Sequence, residues 1–285
     1  MGEIKSYVLQ YVNVDANTIL NLKPDLFITE GGPLTSFETS QVTAEELAAL
    51  KAAGVTVVAY VNMCITDDNR PYWNKEWTED GKDSGKTTEA APKWLKDKPS
   101  NSFGYVVDYT DPEWRKIVID QAVDLLKNGF DGVFLDDLAQ YYIAGATGKD
   151  IPGQAMAMME FALEINAAVK AVNPSAILIS NGNPYVVTDC EGGPTTPTAN
   201  AFLTNLDAML LESFYGISGT QDEARMHCLA CIKNRAQVLA LEYGGTAEQH
   251  RAFVEKAKED GVVPFAAPDD SYSGIAPLWL EGGAV

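Results

Sequence analysis

Short apolar runs alternate with longer segments of helical spacing along nearly the whole chain. Ser6–Val12, Asp25–Thr29, Val55–Val61, Phe103–Val107, Val133–Leu135, Ala176–Ser180, Ala208–Leu211, Val238–Leu241 and Val262–Ala266 read as strands. Most are continuously apolar rather than alternating, the pattern of strands covered on both faces. Helices are expected between them. One covers Thr43–Ala53, where Thr43 and Glu46 have the spacing of a capping box. Another opens at Asp111-Pro112-Glu113, an acid cap followed by proline in the first turn. Gly153–Val172, Thr220–Asn234 and Thr246–Asp260 complete the set. Strand–helix alternation of this kind predicts a parallel sheet. About eight such units fit a closed (β/α)8 barrel of TIM type better than an open sheet. A single domain over residues 1–285 is expected.

Two stretches stand out from this rhythm. The first is Gly129-Phe130-Asp131-Gly132-Val133-Phe134-Leu135-Asp136-Asp137-Leu138. Asn128-Gly129 ends a helix, and Val133–Leu135 forms a buried strand. A strand of that kind ends in two carboxylates for a reason. One acid could cap the next helix; a pair points to a polar cleft at the C-terminal end of the strand, where parallel α/β folds bind ligands. The second stretch is the long excursion from Met63 to Ser102. It is rich in Asp, Lys, Gly and Pro, yet holds Tyr72, Trp73, Trp77 and Trp94. Those rings serve either as platforms for sugar rings or as pins that hold the loop to the barrel.

Polar or acidic residues end almost every strand: Gln10, Glu30, Asn62, Asp108, Asp136, Asn181, Glu212 and Glu242. In a barrel these ends meet on one face. Asp137 adds a further acid, with its side chain directed opposite to that of Asp136 if the strand continues. Tyr60, Trp73, Tyr141, Tyr215 and Tyr243 are the candidate aromatic walls. The chain has only His227 and His250, and it has neither a Gly-x-Ser-x-Gly elbow nor a phosphate loop. Paired carboxylates with aromatic neighbours are what glycoside cleavage needs. Glu212 lies between Leu210-Leu211 and Ser213-Phe214-Tyr215, surroundings that raise a carboxyl pKa as a general acid requires. Asp136 is its natural partner as nucleophile.

Charge and cysteine content narrow the partners. The formal net charge is −19, from 40 acids against 21 bases. Duplex nucleic acid and anionic membranes are poor partners for such a surface, and a cationic ligand would be drawn in. No apolar run is long enough to span a membrane. Four cysteines, Cys64, Cys190, Cys228 and Cys231, are too few for a disulfide scaffold. Cys64 and Cys190 lie in loops after strands and could pair in an exported protein. Cys228 and Cys231 beside His227 lack a second ligand pair for zinc and read as core or surface residues.

The chain resembles glycoside-hydrolase family 114, the endo-α-1,4-polygalactosaminidase-like barrels, from about Tyr7 to Pro277. The resemblance is carried by Asp111-Pro112-Glu113-Trp114, the stretch Gly129–Asp136, Glu212-Ser213-Phe214-Tyr215 and Glu242-Tyr243. Ala59-Tyr60-Val61-Asn62 and Arg70-Pro71-Tyr72-Trp73 are similar too. It implies a (β/α) barrel, Asp136 as nucleophile, Glu212 as acid/base, retention at the anomeric carbon, and hydrolysis of galactosamine-containing polysaccharide without a metal or other cofactor. The chain departs from the family pattern at Met63-Cys64-Ile65-Thr66, where Gly-Glu is common. It also departs at Glu30 and Glu242, where the family often has Asp. Two other readings share these features. A chitinase-like barrel would need acids where Phe134 and Leu138 stand, and a carbohydrate-binding pseudo-enzyme would keep the bowl without turnover. The expected partner is a polysaccharide or oligosaccharide, with the protein a monomer. Secretion or display at the cell surface is expected, with the cytoplasm as the alternative.

Overall fold

The computed structural model describes residues 2–31, 42–79, 85–100, 102–143, 146–182, 184–217 and 223–282. Ten strands form among them: β1 (Tyr7–Leu9), β2 (Leu26–Thr29), β3 (Thr56–Asn62), β4 (Ile65–Thr66), β5 (Tyr105–Val106), β6 (Gly132–Asp136), β7 (Ile177–Asn181), β8 (Ala208–Glu212), β9 (Gln237–Tyr243) and β10 (Val263–Ala267). Eight of them make one sheet in the order β1-β2-β3-β6-β7-β8-β9-β10. Every neighbouring pair in it is parallel. The edges approach each other. The Tyr7 ring lies 5.4 Å from that of Phe265 on β10, and the Tyr7 hydroxyl donates to the Ala240 carbonyl of β9 at 2.7 Å. The result is a nearly closed (β/α)8 barrel.

The helices are α1 (Ala16–Leu22), α2 (Ala44–Ala52), α3 (Pro112–Lys127), α4 (Ile151–Val172), α5 (Val186–Asp189), α6 (Pro197–Asn205), α7 (Glu223–Lys233), α8 (Ala247–Glu259) and α9 (Pro277–Gly282). Thr43 and Glu46 close a reciprocal capping box on α2, and Thr246 and Gln249 do the same on α8. Asp111 caps α3 ahead of Pro112. Helix α4 starts two residues before Gly153, because the Asp150 carboxylate accepts from the Gly153 amide and Pro152 fits the first turn. The predicted start of α7 at Thr220, and Gly32, Gly145 and Asn183 in the predicted loops, lie outside the described residues. No helix among the described residues is long and apolar enough to cross a membrane.

One predicted strand belongs elsewhere. Phe103–Val107 is not a barrel strand; Tyr105–Val106 pairs antiparallel with β4 outside the barrel, and Val107 bridges to Leu95. A five-residue apolar run is the same on paper whether it joins a parallel barrel or a small antiparallel pair beside it. The excursion from Met63 is a folded arm. Trp73 stacks edge-on to Trp77, Trp77 to Trp94, and Trp94 lies 4.9 Å from Trp114 of α3. The Trp114 indole N–H in turn donates to the Met63 carbonyl at 2.7 Å. These indoles therefore pin the arm to the barrel.

The core of the barrel sets where β6 ends. Val133, Phe134 and Leu135 are fully buried. Gly132 permits the contact with β7, since a Cβ there would meet the Ile177 carbonyl oxygen at 2.1 Å. On the other edge of β6, Asn62 of β3 pairs with Asp136.

Candidate active site

The ends of β6 and β8 are built alike. Each strand closes on an acid, Asp136 or Glu212, and the next residue turns into the left-handed region: Asp137 at φ 65° and Ser213 at φ 49°. Residues with side chains rarely adopt that conformation, and where they do they tend to mark functional sites. The turn has a direct consequence for Asp137. The strand stops before it, so its side chain does not alternate away from the cleft as sequence parity predicts. It lines the same pocket as Asp136. Asp137 also occupies the cap position of a short 3-10 turn without making a side-chain cap, which removes capping as its role.

One amide ties the two strand-end acids together. Asn181, at the end of β7, donates through its side-chain nitrogen to Asp136 Oδ1 at 2.7 Å and to Glu212 Oε1 at 2.7 Å. The two oxygens therefore lie no further apart than twice that distance. Tyr60 donates a second hydrogen bond to Asp136. Tyr243 and Tyr272 donate to Glu212, and their own hydroxyls are 2.9 Å apart. Burial raises the Asp136 carboxyl above the ordinary carboxylate range, opposed by hydrogen bonds from the Asp137 backbone, Asn181 and Tyr60. Burial, with the nearby charge of Asp136, pushes Glu212 up to about 7. The same two causes push Asp137 up to about 8. Asp137 accepts from Asn62 Nδ2 and, at 3.1 Å, from Gln140 Nε2. Asn62 is held for this by the Cys64 and Ile65 backbone amides, which donate to its carbonyl oxygen at 3.1 and 2.8 Å.

Around these groups opens a pocket of about 830 Å³ at the C-terminal ends of the strands. Tyr11, Tyr60 and Tyr272 form one wall, with ring centroids 5.0 Å (Tyr11 to Tyr60) and 4.8 Å (Tyr11 to Tyr272) apart. Phe214 and the exposed ring of Phe103 lie on its lining. Arg70 bridges to Glu30 at 3.4 Å and sits 5.7 Å from the centre of the Tyr60 ring. An acid that holds its proton near neutrality faces another carboxyl across one amide, and aromatic faces surround the space between. That is the equipment for cleaving a glycosidic bond.

Comparison with known proteins agrees. Residues 33–272 match glycoside-hydrolase family GH114. The chain belongs to that family. It is a glycoside hydrolase, and its substrate is a carbohydrate. Protein MJ1477 of Methanocaldococcus jannaschii is 27% identical over 96% of this chain and 79% of its own length. Among solved structures, the glycoside hydrolase domain of PelA from Pseudomonas aeruginosa superposes with a TM-score of 0.65 at 18% identity, covering 95% of this chain and 97% of that domain. Aspergillus fumigatus Ega3, solved in complex with galactosamine, gives a TM-score of 0.66 at 13% identity, covering 95% and 94%. At those identities the two structures attest to the barrel fold.

Within this GH114 barrel, six residues singled out from sequence line the pocket: Glu30, Tyr60, Asp136, Asp137, Asn181 and Glu212. Asn62 and Tyr243 stand immediately behind, holding Asp137 and Glu212. The remaining candidates do not line it, each for a local reason. Gln10 ties loops together, its amide donating to the carbonyls of Val12, Asn13 and Ser273. Trp73 belongs to the arm's indole stack. Asp108 follows the antiparallel strand β5 and accepts from Thr110 within its own turn. Tyr141 donates to Asp189 at 2.8 Å, and Tyr215 donates to Asp260 at 3.1 Å. Glu242 is buried and accepts from the Tyr215 backbone amide at 2.9 Å. All four cysteines are free thiols; Cys64 donates to the Asp137 carbonyl, and Cys190 faces the Val187 and Gly193 carbonyls.

Sequence reasoning missed Tyr11, Arg70, Phe103, Arg225 and Tyr272 on the lining. Tyr11 lies inside the predicted Ser6–Val12 strand and two residues past the observed end of β1 at Leu9, on the period-2 row of Tyr7 and Leu9. Tyr272 comes from a loop after the last strand and carries no local signal.

Proposed function

We propose that this chain is a retaining endo-hydrolase of galactosamine-containing polysaccharide, with Asp136 as nucleophile and Glu212 as acid/base. The observation that carries the reading is the Asn181 amide bonded at 2.7 Å to both acids. It keeps their facing oxygens no further apart than twice that distance, which favours the roughly 5–5.5 Å carboxyl separation of retaining enzymes over the roughly 6.5–9.5 Å that leaves room for an inverting water. In the first step an Asp136 oxygen attacks the anomeric carbon. The bond to the leaving oxygen breaks as Glu212 gives that oxygen its proton, leaving a glycosyl ester on Asp136. In the second step Glu212 takes a proton from water, the water oxygen bonds to the anomeric carbon, and the ester bond breaks to free Asp136. A carboxyl held near pKa 7 can serve both steps, since it exchanges its proton readily at neutral pH.

Three observations support an amino sugar. The pocket lining carries six carboxylates, Glu30, Asp67, Asp136, Asp137, Glu212 and Asp270. The whole chain carries a net charge of −19. The fold is shared with a protein solved with galactosamine bound. A polymer too large to enter a cell would place the reaction outside it or at its surface.

The test is hydrolysis of an α-1,4-linked galactosamine polymer beside its acetylated form and a neutral polygalactose, followed by proton NMR of the first product. New reducing ends from the deacetylated polymer, appearing first as the α-anomer, are expected. A β-anomer appearing first would overturn retention, and cleavage confined to the neutral polymer would overturn the amino-sugar assignment.

A further inference from the structure

Double displacement needs two carboxyl groups, and this pocket holds a third beside them that the chemistry does not use. We propose that Asp137 reads the substituent on carbon 2 of the sugar seated over Asp136, forming a hydrogen-bonded ion pair with an ammonium group there. The inference rests on the glycosidase reading above and names the residue that selects its substrate.

The backbone is shaped to present this side chain. At the end of β9 the chain also turns left-handed, but there it uses Gly244 and Gly245, at φ 60° and 86°. At the end of β6 an aspartate takes that conformation instead, at φ 65°, which side-chain-bearing residues adopt only at an energetic cost. The side chain gives no cap to the following turn in return. Among the described residues its oxygens accept from the neutral amides of Asn62 and Gln140, which fix its orientation. Among the described residues no cation is paired with it. The nearby guanidinium of Arg70 lies against Glu30 and Asp67 instead. A carboxyl group oriented by amides and lining a cavity lacks only a counter-charge.

Position in the sequence supplies the register. Asp137 directly follows the nucleophile and its side chain lines the same pocket, so its carboxyl stands beside the place the anomeric carbon must take. Carbon 2 is bonded to that carbon, and its substituent is the nearest group able to reach the same wall. A hydroxyl there could offer a hydrogen bond, an acetamide a bulkier neutral group, and an ammonium a full charge. Burial, together with the neighbouring Asp136, already pushes Asp137 up to about 8, so the unliganded group holds a proton near neutrality. Arrival of an ammonium favours the carboxylate, and the displaced proton goes to solvent. Charge and proton balance are kept: a neutral acid and a cation become an ion pair and one released proton.

Calorimetry with the monosaccharides galactosamine and galactose tests this, using wild type, Asp137→Asn and Asp137→Gly at neutral pH in two buffers of different ionisation heat. The Gly variant suits the left-handed backbone and guards against a folding failure of the Asn variant. Wild type is expected to prefer galactosamine and to release a proton on binding it. Both variants are expected to lose roughly tenfold or more of that preference, and the proton release with it. A preference retained within about twofold in both variants overturns the role of Asp137 while leaving the amino-sugar reading intact. A wild type that binds galactose as well as galactosamine overturns both.

Discussion

The two ends of this barrel use acidic residues in opposite ways. At the N-terminal ends of the strands, each acid is joined to the backbone of a neighbour. Asp25, just before β2, accepts from the Lys5 and Ser6 amides at 2.8 and 3.2 Å. Asp131, just before β6, accepts from Val57 of β3 at 3.0 Å, and Asp207, just before β8, accepts from Leu178 of β7 at 3.0 Å. Gln237 at the start of β9 clasps the amide and carbonyl of Ile4. These side chains stitch adjacent strands. A cleft of about 620 Å³ exists at that end too, lined in part by Asp207 and Gln237, but these two polar groups already serve the backbone. At the C-terminal ends, Asp136, Asp137 and Glu212 accept mainly from side-chain amides and tyrosine hydroxyls, and all three are raised by burial. One end of the barrel lowers the energy of the fold, and the other holds groups that would be more stable in water. Cavity size does not separate the two ends; the bonding of their polar groups does.

The largest test of that contrast is to neutralise the acids of the upper rim. Asp136→Asn should lose on the order of 10³-fold or more in kcat, because an amide cannot form the glycosyl ester. Glu212→Gln should lose about 10²–10⁴-fold, the usual worth of a general acid. Both variants should nevertheless melt higher than wild type above pH 7. The sign follows from linkage. Glu212 holds its proton up to about 7 when folded, against the ordinary glutamate value of 4.5. Between those values the folded state binds more protons than the unfolded, so stability falls as pH rises. A neutral amide removes that loss, a gain of roughly 1–3 kcal/mol at pH 8 that should vanish by pH 4. Thermal melts at both pH values decide it, and a drop in melting temperature at pH 8 would place these acids among the structural ones.

The contrast was half legible in the sequence. Strand–helix alternation gave the barrel, and inspection of strand ends found Asp136, Asn181 and Glu212, because a buried parallel strand ending in a polar residue is informative by itself. Three things were not readable. Phe103–Val107 had strand composition but paired with the arm, which carried Asp108 away from the rim. Parity turns Asp137 away from the cleft only if the strand continues, and the left-handed aspartate that ends it cannot be foreseen from residue type. Glu242 and Glu212 end their strands with the same local pattern, and only the fold shows that the Tyr215 amide occupies one while the other stays open to the cavity.

A finer test is the pH dependence of turnover. The reaction needs Asp136 ionised and Glu212 protonated at the start. Glu212 at about 7 sets a basic limb, with activity falling about tenfold per unit above it. Asp136, raised by burial, sets an acidic limb above the ordinary aspartate range. Glu212→Gln, assayed with a chromogenic glycoside whose leaving group needs no proton, should keep the acidic limb and lose the basic one. A basic limb that survives in this variant would assign the titration to another group.

The smallest expected effects lie at the lower rim, where the contrast reverses in sign. Asp131→Ala removes the acceptor for the Val57 amide and the partner that Lys51 holds at 2.9 Å. Asp207→Ala leaves the Leu178 amide without its side-chain acceptor. An abandoned backbone donor of this kind costs about 1–3 kcal/mol, and the half-exposed ion pair adds little. Each variant should therefore melt lower in denaturant titrations with an unchanged slope, and kcat on the polymer should stay within about twofold of wild type, as for surface changes remote from chemistry. Loss of activity with stability unchanged would mean that the lower acids reach the site through the strands they join. A lower melting point alone, set beside the rise expected for Glu212→Gln, would show that carboxylates of the same type stabilise one end of the barrel and strain the other, according to whether the backbone amide of a neighbouring strand answers them.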